Sequence, residues 1–291
     1  MTTTVDTAKL PLLLTELRLP AIKQVWQQFA ERADKEGWPA SRFLAVLAEL
    51  ELAERHRRRL QRHLVEARLP PGKTLDAFDF QAVPMISKAL VMALAAGDDW
   101  LNKGSNVLMF GPPGGGKTHA SAALGYALID HGFRVLFTRT TDLVQRLQTA
   151  RQDLALTAAI DRLDKYDLLI LDDLSYVQKN QAETSVLFEL IAARYERRSI
   201  LITANKPFGE WESIFPDKAM TLAAIDRLVH HATIFEMNVE SYRRRSAVAR
   251  NTVKATGPSA DSETVNASAE QPGPAGDGQP TQTTTSEEPN D

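Results

Sequence analysis

The stretch NVLMFGPPGGGKTHASAALGYALIDHG, residues 106–132, runs from a short apolar strand through a glycine-rich turn straight into a helix. Inside it, GPPGGGKT (111–118) fits G-x-x-x-x-G-K-[ST], a pattern whose chemistry depends on having that strand before it and that helix after it. Gly111, Gly114, Gly115 and Gly116, with Pro112 and Pro113 between them, let the backbone curl so that its N–H groups and the helix N-terminus surround a β-phosphate. Lys117 brings a mobile positive charge for the β and γ phosphates, and Thr118 offers a hydroxyl to Mg²⁺. His119 closes this nucleotide-contacting stretch just inside the helix, where its ring is expected to pack or cap rather than ligate. On the helix, Ala120, Ala123, Leu124, Ala127 and Leu128 share one face. GPPGGG does not read as G-x-G-x-x-G, which argues against a dinucleotide site.

Outward from this unit the texture repeats. RVLFT (134–138), DLLIL (167–171) and SILIT (199–203) are short continuous apolar strands, and amphipathic helices separate them. That alternation predicts an α/β fold: a parallel sheet covered by helices on both faces, in a P-loop NTPase core over residues 82–250. DLLILDDL (167–174) ends in two adjacent carboxylates. A P-loop ATPase needs an acid that holds Mg²⁺ at a strand end, and often a second that orients the attacking water. The spacing predicts that this strand lies next to NVLMF, with Asp172 on the metal side and Asp173 as the base. SILITANKP (199–207) ends another strand near Asn205, at the edge where open α/β sheets place their ligands, although an Asn there is also ordinary turn chemistry.

Composition sets bounds on the remainder. The chain has 291 residues, 43 % of them hydrophobic, enough for one large domain or a core with an appended module. No cysteine is present, which excludes a disulfide framework, a thiolate nucleophile and a cysteine zinc site. The longest apolar stretch, ALVMALAAG (89–97), is too short to span a bilayer, and MTTTVDTAKL lacks a signal pattern, so a cytoplasmic location is expected. The net charge of -3 hides an asymmetry: residues 251–291 carry seven acids and one base, which leaves residues 1–250 at about +3. That tail is poor in large apolar residues and is expected to be disordered.

Residues 1–69 read as a helical N-terminal domain, and LPPGKTLDAFDF supplies a linker over 70–81. In its clearest helix Ser41 is a plausible N-cap, and Phe43, Leu47, Leu50, Ala53, Leu60, Leu64 and Ala67 recur at helical spacing. The same helix holds the basic run ERHRRRLQRH (54–63), on which Arg55, Arg59 and Arg62 share a face. Glu51 stands four residues before Arg55, and Glu54 four before Arg58. Arg57 and Arg59 have no such upstream acid, which leaves a phosphate-facing patch and a salt-bridged solvent face as rival readings. Without a base-reading motif, any DNA contact is expected to be to the backbone.

Taken in order, GPPGGGKTHA, YDLLILDDLSY, LFELIAARYERRSILITANKPFGEW, AAIDRLVHHA and ESYRRRS resemble the IstB family of transposition helper ATPases, which are related to DnaC-type helicase loaders within the AAA+ class. The resemblance runs from LRLPAIKQVW to SYRRRS and stops at the tail. It implies an ATPase that binds ATP and Mg²⁺, assembles as a homo-oligomer on duplex DNA, and recruits and stimulates a partner transposase. It further implies that Asn205 is a first sensor, Arg227 an arginine finger offered to a neighbouring subunit, and Arg243 a second sensor. It favours DNA for the basic run (Arg55, Arg57, Arg58, Arg59, Arg62) and for Arg244 and Arg245. The sequence departs from the usual Asp-Glu pair, since Asp173 stands where many relatives carry Glu; a shorter side chain predicts slow hydrolysis. A helicase loader of the same architecture and a P-loop small-molecule kinase are the alternative functions.

Overall fold

Five parallel strands form the sheet: β1 (Asn106–Phe110), β2 (Val135–Arg139), β3 (Leu168–Asp172), β4 (Ser199–Ala204) and β5 (Ala232–Glu236). Their spatial order is β2-β3-β4-β1-β5. This corrects one expectation, because β3 is not the neighbour of β1; β4 lies between them and pairs with both. The computed structural model describes residues 7–97, 99–174, 180–213 and 217–238. The tail, and Arg243, Arg244 and Arg245 with it, lie outside the described residues.

Every residue of β1, β3 and β4 is buried, which explains why these strands read as unbroken apolar runs rather than alternating ones. Their side chains nevertheless alternate between two cores. Leu108, Phe110, Leu169, Leu171, Ile200 and Ile202 pack with α6 (Thr140–Gln152), α7 (Leu156–Leu163) and α8 (Gln181–Arg194). Val107, Met109, Leu168, Ile170 and Leu201 pack on the opposite face with α4 (Lys88–Ala96) and α5 (Lys117–Asp130). A sheet sandwiched by helices is the α/β architecture that the strand pattern predicts, and α9 (Lys218–Val229) completes the layer beside α8.

Arg194 is the least expected core residue. Fully buried at the end of α8, it donates to the carbonyl oxygens of Leu163, Tyr166 and Ser199, each at 3.0 Å. Burial pushes its pKa down to about 10, so the guanidinium stays charged at neutral pH while it stitches α7, β3 and β4 together.

The N-terminal helices are α1 (Leu10–Glu16), α2 (Pro20–Glu36) and α3 (Ala40–Ala67). Leu14, Ile22 and Leu47 form their small shared core. At 28 residues α3 is about 42 Å long at 1.5 Å per residue. Its far end leaves the small core, and Ala67 is buried in the α4/α5 side of the sheet. Two details depart from the sequence reading. The N-cap of α3 is Pro39, whose extended backbone (φ -64, ψ 146) launches the helix, so Ser41 falls within the first turn. Ala53 and Leu64 are exposed, because the helix outruns its first partner surface before it reaches the second.

What fastens α2 to α3 is a buried carboxylate. Glu51, 3 % exposed, accepts hydrogen bonds from the backbone N–H groups of Ala21 (2.9 Å) and Ile22 (3.2 Å) and pairs with Arg55 at 3.0 Å. It caps from a distance the α2 N-terminus that Pro20 leaves without a side-chain cap, placing negative charge at the positive end of the helix. Arg55 in turn donates to the Arg18 carbonyl oxygen at 2.7 Å. Glu51→Ala is therefore expected to lower stability by about 2–3 kcal/mol, since it orphans two N–H groups and takes from Arg55 its carboxylate partner. Urea unfolding followed by tryptophan fluorescence measures this, with Trp26 on α2 as the reporter, and a loss under about 0.5 kcal/mol would count against the cap.

Candidate nucleotide-binding site

The phosphate-loop sequence spans the turn between β1 and α5, and its glycines have concrete reasons. Gly116 is the N-cap of α5 at φ 93, a left-handed conformation that other residues adopt only with strain. At Gly111 a Cβ would lie 2.4 Å from the Met237 carbonyl oxygen, so no larger residue lets the loop pass the chain leaving β5. Around this turn Lys117 is 7 % exposed. Its Nζ donates to the carbonyl oxygens of Gly111 (2.6 Å) and Pro112 (3.0 Å) and to Asn205 Oδ1 (3.0 Å).

The insertion of β4 between β1 and β3 decides the rest of the geometry. It brings Thr203 and Asn205 between Lys117 and the two aspartates. Thr118 Oγ1 donates to Asp172, 3.0 Å from Oδ1 and 3.2 Å from Oδ2. Thr203 Oγ1 donates to Asp172 Oδ1 at 2.7 Å and accepts from the Asp173 backbone N–H at 2.9 Å. Asn205 Nδ2 lies 3.4 Å from Asp173 Oδ1, while its Oδ1 holds Lys117. Thr140 Oγ1 donates to the Asp172 carbonyl oxygen at 3.1 Å and steadies the strand end. A continuous hydrogen-bonded circuit thus joins Thr118, Asp172, Thr203, Asp173, Asn205 and Lys117. Asp173 takes φ 63 directly after β3, a left-handed position that Asp tolerates better than most residues.

His119 meets the segment that precedes α4. Its Nε2 lies 3.2 Å from the Thr74 carbonyl oxygen and its ring meets Phe78 edge-on, 5.2 Å between centroids. Burial, then the Lys73 charge, holds its pKa below the ordinary value, with the Thr74 hydrogen bond opposing. That is the packing role expected for it, and it fixes the otherwise irregular 70–81 segment against α5.

Residues 12–249 match the family described as IstB-like ATP binding protein. The chain belongs to that family. An insertion-sequence ATP-binding protein of Sinorhizobium fredii is 73 % identical over 245 residues, covering 84 % of this chain and 82 % of the relative. The insertion sequence IS21 ATP-binding protein of Pseudomonas aeruginosa is 36 % identical over 264 residues, covering 90 % of this chain and 99 % of its own. Among solved structures, AMPPCP-bound DnaA from Aquifex aeolicus superposes with a TM-score of 0.50 at 17 % identity, over 64 % of this chain and 56 % of that one. That likeness concerns the fold alone.

Other residues singled out in this IstB-family chain lie apart from the circuit. Arg227, near the end of α9, donates to the Ala223 carbonyl oxygen at 2.8 Å, and its guanidinium sits over the Phe188 ring at 5.2 Å. In the basic run, Arg57 is not unpartnered: it pairs with Glu54 three residues upstream at 2.8 Å, a spacing that a search at four residues misses. Arg58 shares the same carboxylate at 2.7 Å, and the two guanidiniums hold the Glu54 pKa at about 2. Arg59 lies 3.1 Å from His56 Nδ1, and among the described residues neither Arg59 nor Arg62 makes an ion pair. The residue that sequence reading passed over is Thr203. Its only signal was a hydroxyl at a fully buried strand position, 1 % exposed, two residues before Asn205.

Proposed function

We propose that this protein is an ATP-hydrolysing helper of transposition: it assembles on duplex DNA in its ATP-bound state and recruits and activates the transposase of its element, and hydrolysis times its release. The hydrogen-bonded circuit linking the phosphate loop to the two aspartates carries the enzymatic part of this reading. Lys117 would leave the loop carbonyls for the β and γ phosphates. Thr118 and Asp172 present hydroxyl and carboxylate oxygens side by side, an oxygen-only donor set of the kind Mg²⁺ prefers, and these two residues would hold it. Bound there, Mg²⁺ supplies neutralisation of charge on the phosphates. Asp173, with Asn205 beside it, would take the proton of the attacking water. Arg227 would leave the Ala223 carbonyl oxygen and the Phe188 ring to serve a neighbouring subunit as its arginine finger, which makes a homo-oligomer the working form.

DNA binding rests on the basic stretch of α3, where Arg59 and Arg62 face solvent with no acidic partner among the described residues, and on Arg244 and Arg245. The names of the relatives favour transposition over helicase loading. The test is electron microscopy and ATPase assays with and without DNA: ATP-dependent assemblies on duplex in preference to single-stranded DNA support the proposal, and preference for single strands favours the loader.

Thr203 has the job of fixing both aspartates at once. In Thr203→Val, of nearly the same shape, Asp172 loses a donor and the Asp173 N–H loses its acceptor. Turnover is expected to fall about 10–100-fold by loss of alignment, with ATP affinity changed only a few-fold. Separate measurement of kcat and of nucleotide affinity decides it, and unchanged kcat would remove Thr203 from the machinery.

A further inference from the structure

Away from the nucleotide circuit, Glu196, His230 and His231 present three ligand atoms that all lie within 4.8 Å of one another. Glu196 Oε1 is 3.6 Å from His230 Nδ1 and 3.5 Å from His231 Nε2. Two donors bound to one tetrahedral zinc at 2.0–2.1 Å stand about 3.4 Å apart, so both observed pairs need to move only a few tenths of an ångström. We propose that these residues form a binding site for a zinc-class divalent transition metal, clamping the end of α9 to the turn between α8 and β4.

The surroundings hold the donors in place. Glu196 adopts φ 54, a left-handed backbone that costs a non-glycine residue free energy and that persists only where neighbours impose it. One of those neighbours is the backbone at Gly104, where a Cβ would lie 2.7 Å from Arg197 N and 2.8 Å from the Glu196 carbonyl carbon. Tyr195 Oη shares a 2.8 Å hydrogen bond with His230 Nδ1, and the two imidazole rings lie 4.0 Å apart between centroids, tilted by 41°. An ion at Nδ1 would displace the phenol from that nitrogen, so the hydrogen bond poises the first ring only until binding, while the second ring packs against the first and limits its freedom.

The donor set selects the class of metal. Two imidazole nitrogens and one carboxylate suit zinc, cobalt or nickel and disfavour Mg²⁺ and Ca²⁺, which prefer oxygen throughout. Three protein ligands leave a fourth position for water. All three side chains are about half exposed, which gives the ion a direct entry path. Binding would add a direct link between two segments already bridged by Asn106, which donates to the Leu228 carbonyl oxygen and accepts from the Ile200 N–H, and would fix the last turn of α9, the helix that carries Arg227. The site itself is independent of the nucleotide-site proposal.

The experiment uses untagged full-length protein, free of nucleotide and in excess Mg²⁺ to occupy simple carboxylate sites. Titration calorimetry with Zn²⁺, and with Co²⁺ as the absorbing substitute, should give one saturable equivalent per chain at micromolar free metal. Amide hydrogen exchange over residues 228–236 should slow on binding. His230→Asn, His231→Asn and Glu196→Gln should each weaken binding by more than about tenfold, the scale on which even a lost outer partner acts, while His56→Asn on α3 leaves it unchanged. The absence of saturable binding to the wild type would reduce the cluster to an ion pair and overturn the proposal. Equal affinity in a His230→Asn/His231→Asn double variant would do the same.

Discussion

Lys117→Ala is expected to weaken ATP binding by about 10²–10⁴-fold and to remove measurable hydrolysis. The lysine is 7 % exposed and already satisfied by two loop carbonyls and Asn205, so its charge is held at the mouth of the turn before any nucleotide arrives. ATP exchanges those neutral acceptors for phosphate oxygens. Hydrogen bonds to charged groups contribute about 1.5–3 kcal/mol each, and two of them account for the predicted loss. Part of the effect is offset, because the wild type must first give up its contacts with Gly111 and Pro112. The same substitution leaves Asn205 Oδ1 without its cation, and a modest fall in stability should accompany the loss of binding. The two effects are separated by thermal unfolding with and without ATP. Wild-type protein should gain stability as RT ln(1 + [ATP]/Kd), and the variant should show no gain at the same concentration. An ATP-dependent rise equal to that of the wild type would mean that Lys117 is not a phosphate ligand.

The parts of the fold that were legible in the sequence are those written in consecutive residues. NVLMF followed by GPPGGGKT demands a strand, a curled turn and a helix because only that order presents backbone N–H groups to a phosphate. Likewise, DLLIL and SILIT read as central strands because burial on both faces leaves no polar alternation. Strand order was not written locally. The apolar runs of β3 and β4 are equally fit to lie beside β1, and the choice depends on which helices cross which face. That choice is what brings Thr203 and Asn205 between Lys117 and Asp172, so the circuit was invisible even with most of its members named. The same limit applies to Glu51. As an i,i+4 partner of Arg55 it read as a surface charge, whereas the return of α2 against α3 buries it and turns it into a cap for a helix thirty residues away. Arg57 shows the converse, a local pairing at three residues rather than four, legible in principle and missed by the spacing chosen.

Asp173 carries the other large effect, and two substitutions divide its roles. If its carboxylate takes the proton of the attacking water, Asp173→Asn should lower kcat about 10²–10⁴-fold, the usual contribution of a general base, with ATP affinity nearly kept. Asp173→Glu should act in the opposite direction. The added methylene extends the carboxylate by about an ångström, and alignment on that scale is worth up to about 100-fold. The backbone resists this gain. Residue 173 sits at φ 63, where Asp is favoured over Glu, so the variant should be less stable by up to about 1 kcal/mol. The Thr203 hydroxyl on the residue 173 N–H holds that conformation in either case, since its bond is to the backbone. Faster turnover with a slightly lower Tm is therefore the expected signature, and it is specific, because a substitution that merely loosened the site would lower both. Single-turnover hydrolysis at saturating ATP and Mg²⁺ measures the chemical step free of product release. If Asp173→Glu proves no faster while Asp173→Asn is inactive, the base is assigned and the reach argument fails. If Asp173→Asn hydrolyses ATP at the wild-type rate, the proton goes elsewhere, and Asp173 serves to hold Asn205, to which it is joined across 3.4 Å.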